Sequence, residues 1–283
     1  MANNIGPVEN HRSREGGAIV YPVYSRRSKG LSVGINLFPD RKVCSFDCPY
    51  CEVFPFTSDI RFSLTVMKEA LHSALAEAAA QDIPVRDICF SGNGEPTLSS
   101  HFREALKAAA QIRDQTVPEA DLVVITNGTG LLDDSTRTFL QEAALSSGKF
   151  NIWLKLDAGT PGWYEKIDRA AVPFDTLIEH IRSFTALAPV TIQTMICAVN
   201  GKEPPPEEAA AWVGLVRELA GCDGNTVQSN NNAAGIRAVQ IYGKARPAPE
   251  DPLAEALPQA TLEERAELLR PFLDPAIRVD IFP

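Results

Sequence analysis

The sequence predicts an α/β protein built as a partial, open (β/α)6 barrel, and two observations lead to this fold class. From residue 31 onward, short apolar or β-branched runs alternate with longer runs rich in Ala, Leu and Glu. This alternation is typical of a parallel sheet whose strands are joined by helices. A chain of 283 residues with six such units fits a six-unit open barrel better than the closed eight-unit one. A doubly wound sheet is the runner-up.

The predicted strands are short and are bounded by Gly, Pro, Asn or Asp, as buried parallel strands usually are. They cover residues 32–37, 86–91, 122–126, 152–157, 190–197 and 237–242.

The predicted helices occupy the segments between these strands. The helix at 133–146 opens with the cap signal Asp133-Asp-Ser. The helix at 173–188 carries one apolar face at helical spacing, made of Phe174, Leu177, Ile178, Ile181, Phe184 and Leu187. The other helices cover residues 67–81, 101–113, 207–220 and a stretch near 262–269, and a possible strand follows at 277–281.

Three segments make up the predicted domain organisation. Residues 1–30 are polar, with Gly16-Gly17 and Pro22 as breakers, and are expected to form an irregular N-terminal extension. Residues 31–250 form the barrel, and residues 251–283 add a helix and a strand that pack on it. The run of three asparagines at 230–232 reads as a mobile loop.

Composition and net charge indicate which kinds of binding partner this protein is expected to have. Hydrophobic residues make up 45% of the chain and charged residues 22%, which is typical of a globular protein with a sizeable core. The net charge of −9 argues against non-specific binding to nucleic acid or anionic membranes. Residues 1–45 nevertheless hold seven basic against three acidic residues, a local charge of +4. This basic segment is either a solvated arm or a patch for an anionic substrate or partner.

The cysteines point to a reducing compartment. Of the six cysteines, three lie within eight residues, at Cys44, Cys48 and Cys51, whereas a secreted disulfide framework would spread them. The polar N-terminus has no apolar signal region and the chain no run of 18 apolar residues. We therefore expect a cytoplasmic protein in which clustered cysteines bind metal or take part in catalysis.

The cysteine triplet directly follows the first predicted strand, at the sheet edge where α/β proteins build their active sites. Thiolates suit iron–sulfur clusters or zinc. Three thiolates would leave one iron of a cubane open, whereas a fully ligated cluster has four. Structural zinc would need a fourth Cys or His at finger-like spacing, and none follows. The residues favour a cluster, with structural zinc as the alternative.

Polar residues at other strand ends are further candidates. Gly92-Asn93-Gly94-Glu95-Pro96 follows the second strand, and its glycines allow the backbone to approach a ligand. A plain turn is the alternative. Lys155 and Asp157 lie two apart on the fourth strand and so share one face. If that face is the barrel interior, these charges need partners, which a ligand would supply.

The CxxxCxxC triplet after a first strand resembles the radical S-adenosylmethionine (SAM) superfamily. The resemblance extends over most of the chain to a bacterial and archaeal branch of Fe–S oxidoreductases related to wyosine-forming tRNA enzymes. The further segments that carry it are residues 25–37, 91–97, 126–128, 156–160 and 240–246.

The resemblance implies a role for each matching residue. Cys44, Cys48 and Cys51 would ligate a 4Fe-4S cluster whose open iron receives the amino and carboxylate groups of SAM. Tyr50 would lie along the adenine. The residues implied in further SAM contacts are Gly92, Asn93, Gly94, Glu95, Pro96, Thr126, Asn127 and Gln193.

The implied reaction is reductive cleavage of SAM to a 5′-deoxyadenosyl radical that abstracts hydrogen from a substrate. Lys155 and Asp157 are the candidate substrate residues, and Cys197 is a candidate hydrogen-atom donor whose alternative is an inert buried thiol. Lys244 and Arg246 lie at the mouth of the site or in a solvated loop. A flavodoxin or ferredoxin-type reductant is an implied partner.

The identity of the substrate stays open between three classes. One is a base in tRNA or another nucleotide, although the acidic chain weighs against whole tRNA. The second is a backbone glycine, as in activases of glycyl-radical enzymes, and the third is a small metabolite or peptide. A structural metal or electron-transfer protein is the non-enzyme alternative.

Overall fold

The computed structural model describes residues 18–53, 55–221, 235–246, 248 and 253–283. The loop predicted around Asn230–Asn232 lies outside the described residues, as do Cys222, Arg12 and Arg14. The chain forms two compact units. The first takes in Met1–Cys44, Pro55–Thr126 and Ser147–Asn151, and the second takes in Ser45–Phe54, Asn127–Ser146 and Ile152–Pro283.

The first unit contains a four-stranded sheet in which neighbouring strands are also consecutive in the sequence. Its strands are β1 (Val20–Ser25), β2 (Gly30–Ile35), β3 (Val85–Phe90) and β4 (Asp121–Thr126). β1 is antiparallel to β2, whereas β2, β3 and β4 are mutually parallel.

Two helices connect these parallel strands, as the alternating pattern predicts. They are α1 (Leu64–Ala80) and α2 (Phe102–Thr116). α1 begins where the Ser63 side chain accepts a hydrogen bond from the amide of Val66, the usual N-cap contact. A 3₁₀ helix (Pro96–Leu98) precedes α2.

The expectation of an irregular segment throughout residues 1–30 is wrong for β1. Pro22 lies inside this strand rather than breaking it, because β1 begins the strand order of the sheet and a proline is tolerated in an edge strand. The ring of Tyr21 covers Gly34 of β2, where an added Cβ would lie 2.3 Å from the ring. This contact helps to fix the pairing of the two strands.

The second unit contains the remaining strands and helices, predicted and unpredicted, except for residues 150 and 151, which belong to the first unit. β5 (Phe150–Lys155), β6 (Pro189–Val199), β7 (Gly235–Gly243) and β9 (Arg278–Phe282) are parallel and adjacent in that order, while β8 (Ala254–Ala256) pairs antiparallel with β6. The helices are α3 (Asp134–Ser146), α4 (Pro161–Ile167), α5 (Phe174–Thr185), α6 (Pro206–Leu219) and α7 (Gln259–Leu269).

Burial of β6 and α5 in the second unit largely follows their apolar patterns. All eleven residues of β6 are buried, as expected for a strand covered on both faces. On α5, Leu177, Ile178, Ile181 and Phe184 are buried. The prediction is wrong for Leu187, which is 54% exposed because α5 ends at Thr185. No helix among the described residues is long and apolar enough to cross a membrane.

Candidate active site

In the first unit, Val43 directly precedes the cysteine loop (residues 44–51) and is hydrogen-bonded to the glycine segment that follows β3 (residues 92–94). The amide of Val43 donates to the carbonyl of Asn93 (3.0 Å), and the amide of Glu95 donates to the carbonyl of Val43 (2.8 Å). Val43 and Gly94 therefore form a parallel bridge. Because Val43 directly precedes Cys44, this bridge fixes the position at which the cysteine loop begins.

Both glycines of this segment are required by the backbone. Gly92 has φ +124° and Gly94 has φ +144°, values that other residues rarely adopt. A Cβ on Gly94 would lie 1.7 Å from the carbonyl oxygen of Val43. The close backbone approach expected from the sequence is thus present, and here it joins two segments of the protein itself.

Asn93 forms hydrogen bonds within the protein through both its backbone amide and its side chain. Its amide donates to Asn36 Oδ1 (3.2 Å), and its side-chain Nδ2 donates to the carbonyl of Phe38 (3.0 Å). Only its glycine neighbours have positive φ. The asparagine therefore holds the start of the loop, and its contact with SAM stays a prediction.

Glu95 and Thr126 lie together at the ends of β3 and β4. Glu95 is 3% exposed, and its Oε1 accepts hydrogen bonds from Thr126 Oγ1 (2.8 Å), Thr97 Oγ1 (2.6 Å) and the Thr97 amide (3.1 Å). Pro96 is buried beside it and begins the 3₁₀ helix. These bonds orient the carboxylate that the resemblance assigns to the amino group of SAM.

In the second unit, Asn127 holds Ser45, the second residue of the cysteine loop. Its Nδ2 donates to Ser45 Oγ (2.9 Å), and its Oδ1 accepts from the amide of Thr129 (3.0 Å). Ser45 and Thr129 share a hydroxyl hydrogen bond of 2.6 Å. The sequence alone gives no reason to pair Ser45 with a residue more than eighty positions away.

None of the three cysteines is part of a disulfide in the described part of the chain. Cys44 is exposed, while Cys48 and Cys51 are half-buried. The amide of Cys51 donates to the carbonyl of Cys48 (3.0 Å), a tight turn that keeps these two residues close. Cys44 belongs to the first unit and the other two to the second. In the described residues, no three His, Cys, Asp or Glu side chains converge in a metal-binding arrangement.

A buried charged cluster in the second unit brings Lys155, Asp157 and Tyr50 together. Asp157 Oδ2 accepts from both Lys155 Nζ and the Tyr50 hydroxyl, and its Oδ1 accepts from the amide of Met195 (2.8 Å). Lys155 Nζ lies 4.3 Å from the centre of the Tyr50 ring. The protein therefore supplies the partners for both charges without a ligand. Sequence reasoning did not foresee that Tyr50 belongs to this group.

Asp168, which sequence reasoning missed, completes this cluster. Its Oδ1 lies 3.7 Å from Lys155 Nζ and 4.0 Å from Cys48 Sγ. Burial raises the pKa of Asp168 well above its usual value, and the charge of Asp157 adds to this shift. Burial alone would lower the pKa of Lys155, but the charges of Asp157, Cys48, Tyr242 and Asp168 together outweigh it and raise that pKa well above normal. Lys155 is thus held as a cation.

Removing the Tyr50 hydroxyl tests this cluster. In Tyr50→Phe we expect a loss of about 1.5–3 kcal/mol in the free energy of unfolding, the range for a hydrogen bond to a charged group. Urea unfolding measures it. Tyr24→Phe serves as control, because Tyr24 is 42% exposed and a surface change stays within about 0.5 kcal/mol. Equal stability of the two variants would contradict the assignment.

Gln193 lies one strand further along, opposite Lys155 in the register of β5 and β6. It is 1% exposed, and its Nε2 donates to Gln240 Oε1 (2.7 Å) across β6 and β7. A satisfied polar core residue accounts for this contact, and a contact with SAM stays a prediction.

Cys197 is fully buried near the end of β6. Burial raises the pKa of its thiol to about 12, and the charge of Asp157 contributes. Cys197 is therefore a thiol at neutral pH, which is the form a hydrogen-atom donor needs.

Thiol reactivity in the metal-free folded protein should follow this burial. Cys44→Ser is expected to remove a fast-reacting thiol in a titration with a disulfide reagent near pH 8, because Cys44 is exposed. Cys197→Ser is expected to leave the fast phase unchanged. Loss of a fast-reacting thiol in Cys197→Ser would show that the β6 end is open to solvent.

The charges that follow β7 include one ion pair with the cysteine loop. Arg246 Nη1 lies 2.9 Å from Glu52 Oε2, and Glu52 directly follows Cys51. The Arg246 side chain is 41% exposed in this ion pair, and its place at the mouth of the site stays a prediction. Lys244 is half-buried, and a role in substrate binding stays a prediction.

The loop after β5 is locked to α6. Glu208, 1% exposed, accepts from the Gly159 amide and the Thr160 hydroxyl. A Cβ on Gly159 would lie 2.1 Å from the Trp212 amide nitrogen, and Trp212 Nε1 donates to the carbonyl of Leu156 (3.0 Å). These contacts fix the backbone on both sides of Asp157.

Several curated proteins are similar to this chain in sequence, and the two described here have names that do not state an activity. No family model matches the sequence. The chain is 24% identical over 182 residues to a UPF0026 protein of Helicobacter pylori, covering 64% of this chain and 56% of the relative. It is 29% identical over 185 residues to a UPF0026 protein of Synechocystis, covering 63% of this chain and 64% of that one. The chain therefore spans less than two thirds of the length of these relatives.

Solved structures with similar folds include a radical SAM methyltransferase, SuiB and spore photoproduct lyase. A radical SAM methyltransferase from Sphaerobacter thermophilus aligns with a TM-score of 0.63 at 13% identity, over 93% of this chain and 69% of that one. Streptococcus suis SuiB bound to S-adenosylmethionine gives 0.62 at 13%, over 88% and 50%. Spore photoproduct lyase with a dinucleoside spore photoproduct gives 0.57 at 13%, over 93% and 79%. The chain therefore has the partial α/β barrel fold of the radical SAM enzymes, as its sequence predicts.

Proposed function

We propose that this protein is a radical SAM enzyme, which holds one 4Fe-4S cluster through Cys44, Cys48 and Cys51. The observation that carries the proposal is a CxxxCxxC loop without disulfides among the described residues that follows β2 in the fold of the radical SAM enzymes. The assignment of the three ligands depends on their spacing along the chain. When bound, the cluster supplies one electron to the sulfonium of SAM, which splits into methionine and a 5′-deoxyadenosyl radical.

The residues present fit such a cluster. The loop offers three thiols, of which Cys44 is exposed and the other two are half-buried, and thiolates are the ligands that iron–sulfur clusters prefer. The loop is held at Val43 by the Gly94 segment and at Ser45 by Asn127. Within each unit, the residue next to Cys44 is thus held in place, and less conformational entropy is lost on metal binding when the backbone near a ligand is already positioned.

Among the proposed SAM contacts, Glu95 and Tyr50 are held by hydrogen bonds within their own units. Glu95 would receive the amino group of SAM, and Thr126 holds that carboxylate by its hydroxyl. Tyr50 would offer its ring to the adenine while Asp157 holds its hydroxyl. The remaining proposed contacts are Gly92, Asn93, Gly94, Pro96, Asn127 and Gln193.

The substrate is proposed to lose a hydrogen atom beside Lys155, Asp157 and Cys197. SuiB binds its precursor peptide and spore photoproduct lyase binds a dinucleoside, so the fold admits both a peptide and a nucleotide. The class of substrate therefore stays open. A flavodoxin or ferredoxin-type reductant in the cytoplasm is the proposed electron source, and the exposed Arg26 and Arg41 suit an acidic carrier.

Metal analysis of anaerobically purified protein tests the proposal against structural zinc. We expect about four iron and four sulfide ions for each chain, the content of one cubane, with a brown absorption that dithionite bleaches. A colourless protein with one zinc ion for each chain would overturn the proposal.

A further inference from the structure

Asp168 contacts the cysteine loop twice. It lies at the C-terminal end of α4, where its amide donates to the carbonyl of Tyr164 (2.9 Å), and it is 2% exposed. Its backbone carbonyl accepts from the amide of Asp47 (2.9 Å), and its Oδ1 lies 4.0 Å from Cys48 Sγ. One residue thus holds both the backbone before Cys48 and the side chain of Cys48.

Lys155 is the cation that faces this same stretch of loop. Its Nζ lies 3.7 Å from Asp168 Oδ1 and 4.3 Å from the centre of the Tyr50 ring. Its side chain is only 15% exposed. Lys155 thus lies against Tyr50, and it shares the Asp168 Oδ1 atom with Cys48.

The two carboxylates of this cluster are not equivalent. Asp157 receives three donors, from Lys155, Tyr50 and the Met195 amide. Asp168 instead directs its Oδ1 toward Cys48 as well as Lys155. Asp157 therefore anchors Lys155, and Asp168 links that cation to the thiol.

Binding of iron at Cys48 changes the charge of this region. The ligand is a thiolate, and a negative charge in a largely buried place is unfavourable unless a cation lies near it. A ligand atom is also held in place by groups outside the coordination sphere, and their loss weakens metal binding.

We propose that Asp168 is a positioning residue for Cys48, through its backbone bond to Asp47 and its ion pair with Lys155, and that Lys155 supplies the positive charge that offsets the Cys48 thiolate. This inference rests on the proposed function. It gives Lys155 a role toward the cluster in addition to any role toward the substrate.

Four variants in two matched pairs test the proposal. Lys155→Gln removes the charge but keeps a donor for Asp157, and Lys155→Arg keeps the charge. Asp168→Ala removes the contact with Cys48, and Asp168→Asn keeps a polar group there. Exposed residues give the controls Lys149→Met and Asp134→Ala. The readouts are iron for each chain, the midpoint potential of the cluster, its reduced-state EPR spectrum and the melting temperature.

We expect Lys155→Gln to lower the midpoint potential, because the reduced cluster carries one more negative charge and loses a nearby cation. Lys155→Arg and both controls should keep the potential of the unmodified protein. Asp168→Ala should weaken iron binding by roughly 10- to 100-fold and alter the EPR spectrum, and Asp168→Asn should restore most of both.

A purely structural role would give a different pattern. Lys155→Gln and Asp168→Ala would then lower the melting temperature but show the potential, the EPR spectrum and the iron content of the unmodified protein, and the proposal would be overturned. If Lys155→Gln does not fold, the Asp168 pair decides alone. Unmodified protein without any cluster would instead overturn the proposed function itself.

Discussion

Cys48→Ala is expected to abolish SAM cleavage and to reduce bound iron to background. The variant leaves two thiolates in the loop, too few to hold a cubane through three irons. Iron analysis after anaerobic reconstitution measures the first effect, and chromatography of 5′-deoxyadenosine measures the second.

Cys89→Ala is the matched control for this loss. Cys89 is a buried thiol on β3 in the first unit, and small buried thiols behave as hydrophobic residues. We expect this variant to keep its iron and its activity. Full iron and 5′-deoxyadenosine in Cys48→Ala would show that the loop is not the cluster site.

Gly94→Ala is expected to be the most destabilising single methyl addition in the cysteine-loop region. Its Cβ would lie 1.7 Å from the Val43 carbonyl oxygen, in a backbone at φ +144°. Overpacking and backbone strain together suggest a loss of roughly 2–6 kcal/mol in the free energy of unfolding. Relief of the clash by separating Val43 from Gly94 would also displace Cys44, so iron binding should fall. Urea unfolding and iron analysis measure the two effects.

Gly214→Ala provides the matched control. Gly214 lies within α6, and an added Cβ would meet nothing within 4 Å. Alanine at an exposed helical position is favoured over glycine by about 1 kcal/mol, so this variant should be more stable than the unmodified protein. A Gly94→Ala protein with unchanged stability and full iron would mean that the Val43 bridge does not position the loop.

Local patterns were sufficient for most of the fold. The apolar run that became β6 is buried along its whole length, and the Leu177–Phe184 spacing gave the buried face of α5. The missed elements are those whose local signals are weak. β1 contains Pro22, α4 has seven residues and β8 has three, so each depends on packing against its neighbours rather than on its own periodicity.

In the candidate site too, the sequence identified residues that are close along the chain but not those that only the fold brings together. The sequence identified Lys155 and Asp157 as a pair, because a two-residue spacing on a strand places side chains on one face. It did not identify Asp168, whose partner Cys48 is 120 positions away. Glu208 was missed for the same reason, since its partners Gly159 and Thr160 are brought to it only by the fold.

The most direct test of the central claim is formation of 5′-deoxyadenosine. The protein is reconstituted anaerobically with iron and sulfide, then incubated with SAM and dithionite, and the products are separated by chromatography. We predict 5′-deoxyadenosine and methionine in equal amounts, both absent when Cys48→Ala replaces the unmodified protein. A protein that binds no cluster under these conditions, or that binds zinc in its place and leaves SAM intact, would contradict the claim that it is a radical SAM enzyme.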